Sequence, residues 1–116
     1  LLPRADVEIG DFSEIDEKLV ENLAKMEPFG NGNPEPVVKI TTASVLSARR
    51  MGADGQHVKL ALRDKNGIVL HMLAFNAPEE FFRDPGDEVA AWFQPIINEW
   101  QGVRTVEGRL LHIEQA

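Results

Sequence analysis

Cysteine is missing from all 116 residues, which removes disulfide frameworks, thiolate metal sites and cysteine nucleophiles together. Missing too is any apolar run near the ~20 residues that a membrane helix requires, and no signal-peptide pattern opens the chain. The expectation is therefore a protein with no membrane partner, compatible with a cytoplasmic location. No glycine-rich loop ends in the Gly-Lys-Ser/Thr of a phosphate cradle. No serine sits in a nucleophile elbow, and no group of carboxylates follows a hydrolase pattern. Repeats and low-complexity tracts are also missing. What is there is ordinary globular composition, 43% hydrophobic and 27% charged, in a chain large enough to bury one core unaided. It opens on Leu1 rather than Met and in mid-pattern, which reads as a segment of a longer protein.

The net charge of −7 argues at first against nucleic acid, because a polyanion repels an acidic protein. Its distribution changes that reading. Residues 1–36 carry three bases against nine acids, a net of −6, and residues 76–116 three against eight, a net of −5. Residues 37–75 carry six bases (Lys39, Arg49, Arg50, Lys59, Arg63 and Lys65) against Asp54 and Asp64, a net of +4. Such an island holds a phosphate chain locally while the rest repels it, or it is an ordinary solvated surface.

Along the chain, residues 5–9 alternate apolar and acidic side chains, the period of a short strand. Ser13 stands three residues before Asp16 in a capping-box arrangement. Ile15, Leu19, Val20, Leu23, Ala24 and Met26 then recur at helical spacing, which predicts an amphipathic helix of about three turns ended by Pro28. Residues 27–36 hold three prolines and two glycines, a rigid connector with Phe29 pinned into the core. From Val37 the period becomes two. Strands are expected over Val37–Ala48 (bent near Ala43-Ser44), His57–Arg63, Ile68–Phe75, Val89–Ile97 and Val103–Ile113. Asn76 caps a short helix over Ala77–Phe82, and Lys65-Asn66-Gly67 forms a tight turn. The third strand is apolar except for His71, which predicts cover on much of both faces.

Three strands, a short helix and two further strands is the order of the OB-fold, a five-stranded Greek-key barrel. The mainly β barrel spans 37–116. Residues 1–36 lead into it as strand, helix and connector, and the two parts make one domain. An immunoglobulin-like sandwich is the competing fold, but it wants about seven strands and no internal helix. The ligand face of an OB-fold is its second and third strands with the flanking loops, here His57 to Phe75, Arg49 to Gln56 and Asn98 to Val103. These coincide with the basic third. Candidate nucleic-acid-binding residues are therefore Arg49, Arg50, His57, Lys59, Arg63, Arg104 and Trp100, the last either a stacking platform or a rim residue. Trp92 and Phe93 are adjacent in one strand, so one points in and one out. Phe12, Phe75, Phe81 and Phe82 are assigned to the core. His112 and Glu114 share a face and offer one metal edge with no further ligand at a recognisable spacing, so no metal is expected.

The run Pro28-Phe29-Gly30-Asn31-Gly32-Asn33-Pro34-Glu35-Pro36, followed by Gly55-Gln56-His57-Val58-Lys59-Leu60, Ala74-Phe75-Asn76, Pro85-Gly86-Asp87 and Asn98-Glu99-Trp100-Gln101-Gly102, resembles the C-terminal OB domain of bacterial RecJ-type single-strand-specific DNA exonucleases. Glu107-Gly108 departs from the alternation expected in the last strand and suggests a bulge or weakened pairing there. The resemblance implies a parent enzyme that degrades single-stranded DNA from the five-prime end with manganese or magnesium, in repair and recombination. Its catalytic residues would lie in preceding domains of the same chain, and this segment would hold no cofactor and no catalytic group. It would grip single-stranded DNA. The alternative is a docking domain that binds the catalytic core or the acidic tail of a single-strand-binding protein.

Overall fold

The computed structural model describes residues 2–26 and 35–116; most of the Pro/Gly connector, Phe29 included, lies outside them. Strand β1 (Val7–Ile9) runs parallel to the start of the long strand β2 (Val38–Met51). Helix α1 (Glu17–Ala24) intervenes in sequence. Its cap is Asp16, not Ser13: the Asp16 carboxylate accepts from the Leu19 amide at 2.8 Å, where its charge also suits the helix dipole. Ser13 instead donates its amide and hydroxyl to Asp11, which holds the Asp11 carboxyl below its ordinary value. That turn keeps Phe12 and Ile15 out of the helix and in the core. The helix stops at Ala24 with Lys25 as its C-cap, two turns rather than three.

The barrel strands are β2, β3 (His57–Arg63), β4 (Val69–Ala74), β5 (Glu88–Trp100) and β6 (Val103–Gln115). Their pairings run in a ring: β2 with β3, β3 with β4, β4 with β6, β6 with β5, and β5 back to β2. The β4–β6 pairing is parallel and the other four are antiparallel, the arrangement of an OB-fold. The long β2 serves two neighbours because it bends. Val38 to Ser44 pair with β5 and Ser44 to Met51 with β3, with register shifts between Ile40 and Ala43 and between Val45 and Ser47.

Inside the ring lie Ile40, Val45, Val58, Leu60, Leu62, Met72, Val89, Phe93 and Ile113, with Phe12 edge-on to Phe93 at 6.2 Å. Phe93 points in and Trp92 out. Trp92 is nonetheless buried, in a second small cluster with Val37 and Ala90, beneath the Lys39 ammonium at 4.7 Å and against the His112 ring.

Three expectations need correction. The helix over Ala77–Phe82 is a single 3₁₀ turn, Glu79–Phe81. Asn76 takes a positive φ of 49° and donates its amide to His57 Nδ1 at 2.9 Å, so it caps nothing. Strand β4 is not covered on both faces; its residues alternate between core and solvent. Finally, β6 has no bulge at Glu107-Gly108. The register shift falls opposite Trp92 and Phe93, where Leu111 is the extra residue. Gly108 pairs with Met72, and a Cβ there would sit 2.4 Å from Met72 Sδ and 3.0 Å from the Phe93 ring. The glycine is there for lack of space.

Candidate nucleic-acid interface

The outer side of β2, β3 and β4 carries one line of side chains from each strand. Alternation in β3 puts Val58, Leu60 and Leu62 inward, leaving His57, Lys59, Ala61 and Arg63 outward. Across β4 the outward positions are Val69, His71 and Leu73, since Leu70, Met72 and Ala74 are buried. On β2 the shift between Val45 and Ser47 places Leu46 in a bulge. A bulge of one residue inverts every later side chain. Val45 points to the core, and after the bulge Ser47 and Arg49 point outward, opposite Ala61 and Lys59. The result is a shallow cavity of about 380 Å³ lined by Ser47, Arg49, Lys59, Ala61 and His71.

The same inversion separates Arg50 from Arg49. Arg50 lies with its guanidinium 3.7 Å over the Phe82 ring and donates to Glu79 at 2.7 Å. It clamps the 3₁₀ turn to the barrel and does not join the cavity. Arg104 is also elsewhere: it bridges Glu17 and Glu21 of α1 at 2.8 and 3.1 Å. Arg63 stands exposed further along β3, beside a second cavity with Thr41, Ser44 and Lys65. Arg49 and Arg63 make no ion pair among the described residues, and the Arg49 guanidinium donates to the Met51 sulfur at 3.8 Å. Lys59 has a carboxylate partner, Glu107 Oε2 at 3.4 Å.

Phe75 is the residue that sequence reasoning misplaced. It is 66% exposed rather than in the core, and it meets His57 edge-on with ring centroids 5.0 Å apart. The His57 ring is fixed by the Asn76 amide, so the pair presents an ordered aromatic surface at one end of the basic line. Alternation was the available signal: Phe75 lies an even number of residues from His71, the one polar residue of β4. Trp100 is 72% exposed at the tip of the β5–β6 hairpin. What was expected as a loop is a two-residue turn, Gln101-Gly102, with φ of 49° and 79°, the left-handed pair that suits a tight hairpin.

Two further observations bear on metals and membranes. His112 Nε2 and Glu114 Oε2 are 3.3 Å apart, but among the described residues no three metal-ligating groups converge. The described residues do not fit a magnesium or manganese centre. Among them, too, no helix is long and apolar enough to cross a membrane.

Comparison with known proteins agrees with this fold. Residues 5–112 match the model of the family described as RecJ OB domain. Over 90 residues the chain is 32% identical to the single-stranded-DNA-specific exonuclease RecJ of Bacillus subtilis, covering 74% of this chain and 11% of that one. It superposes on RecJ from Thermus thermophilus in complex with Mg²⁺ with a TM-score of 0.68 and 25% identity, over 93% of this chain and 16% of that one. On the Mn²⁺ complex of the same protein the TM-score is 0.64 and the identity 28%, over 85% and 14%. The chain thus spans a small part of these relatives and corresponds to one of their domains. The ring of five barrel strands, the parallel β4–β6 closure and the match along residues 5–112 lead to one statement: the chain belongs to the RecJ OB domain family.

Proposed function

We propose that this domain grips single-stranded DNA along the outer side of β2, β3 and β4, as part of a RecJ-type single-strand-specific exonuclease of repair and recombination. The divalent-metal catalytic centre would lie in other domains of that protein, which would be cytoplasmic, and those domains and a single-strand-binding protein are its expected partners. One observation carries the reading: an acidic molecule exposes, on one face, two guanidiniums with no ion pair among the described residues, beside an apolar and aromatic strip. Val69, Leu73 and Phe75 on and after β4 supply the strip, and Arg49 and Arg63 supply the charge. Single strands are held in this way, with cations along the phosphates and rings under the bases. An apolar sheet face left in water otherwise costs solubility without return.

The test is fluorescence anisotropy of a labelled single-stranded oligonucleotide at several salt concentrations. Each phosphate contact adds roughly −0.7 to the slope of log affinity against log salt. Arg49→Ala with Arg63→Ala is expected to flatten that slope. Phe75→Ala is expected to weaken binding about tenfold at an unchanged slope, since stacking contributes about 1–3 kcal/mol per base. No binding at low salt would sink the reading and move the function to protein docking.

A further inference from the structure

Glu107 is an acid in the floor of the basic face. It is 5% exposed and stands on β6 beside His71 of β4, so its carboxylate lies on the same outer side of the sheet as the cations, close against the sheet surface. Oxygen Oε2 meets Lys59 Nζ at 3.4 Å, while Oε1 is buried with no hydrogen-bond partner. A phosphate that takes Lys59 away leaves a buried carboxylate with neither cation nor donor, a state far costlier than an exposed ion pair is favourable. The carboxylate also repels any phosphate above it through a medium that screens poorly.

We infer that Glu107 limits the grip of the proposed single-strand site: it keeps Lys59 for itself and sets an opposing charge beneath the DNA. The inference rests on the single-strand reading of this face. Lys59 is then a partner of the floor, and the resting groove counts its phosphates with Arg49 and Arg63. A face built this way holds a strand loosely enough for it to slide, which suits a domain feeding a strand to chemistry elsewhere.

The experiment is the same anisotropy titration on Glu107→Gln, with folding checked by thermal melting. Binding is expected to tighten about fivefold at low salt, and the salt slope to steepen by roughly 0.7 as Lys59 gains a phosphate. If the wild-type chain binds and Glu107→Gln binds equally or more weakly, Glu107 merely props Lys59 and the inference is overturned, while the single-strand reading stands. If the wild-type chain binds at no salt concentration, both fall. Should Glu107→Gln fail to fold, Lys59→Gln and Arg49→Gln decide. Lys59→Gln is expected to leave the slope unchanged and Arg49→Gln to flatten it by roughly 0.7; equal flattening by both overturns the inference.

Discussion

Asp64 shows how much a single side chain organises here. It is 5% exposed, yet its carboxylate accepts from the Phe12, Asn66 and Ile68 amides at 2.7, 2.9 and 2.8 Å. Burial pushes its carboxyl up, but the three amides outweigh that and hold it below the ordinary value of 3.8. A carboxyl lowered on folding adds stability that is present above its unfolded pKa and lost as pH falls through the folded one. Asp64→Asn is therefore expected to destabilise the domain by about 2 kcal/mol near neutrality, with the gap to wild type narrowing below about pH 4. Urea melts across pH check this, and a constant gap would contradict it. In the sequence Asp64 was merely one of two acids in the basic third. Period two puts Lys59 and Arg63 outward on β3, but the apolar β4 hides Phe75, because hydrophobicity alone does not say whether a face is covered by protein or left exposed.

At the scale of elements, strand existence was legible and strand aim was not. All five barrel strands were read from period two and turn residues, because turns announce themselves in Gly, Pro and Asn. The bulge at Leu46 leaves no such mark, and it alone decides that Arg49 and not Arg50 reaches the groove. The last strand was misread for a related reason. Gly108 looked like a weakness, yet it is where β6 crosses tightly over Met72 and Phe93. Gly108→Val is expected to cost about 2–3 kcal/mol through overpacking, seen as a lower melting temperature. Insertion of one residue after Ser47 would return Arg49 to the core side by the same parity.

For the whole molecule, charge and topology combine. The acidic N-terminal segment is not an appendage: Phe12 and Ile15 sit in the barrel core, Asp64 holds the Phe12 amide, and Arg104 draws α1 to the β5–β6 hairpin. Phe12→Ala is expected to lower stability by about 3 kcal/mol, roughly 10–15 °C in Tm for a domain of this size. Counting along the chain finds the +4 middle third, but fold position alone does not reveal that the partners of Arg104 are glutamates of the N-terminal helix. Ion pairs between such distant parts of a chain are a product of the fold and have no local signature.

The ring of strands is uneven. β5 and β6 share twelve residue pairs, whereas β4 and β6 meet over three, His71, Met72 and Leu73 opposite Glu107, Gly108 and Arg109. That short parallel seam closes the wall, and it borders the groove at His71. Its amides should exchange with solvent sooner than those of the β5–β6 hairpin nearer the barrel. A nucleic-acid strand on the proposed face would lie across β4, the strand that forms one side of that seam. Occupancy of the face would then be felt as slower breathing of the barrel itself.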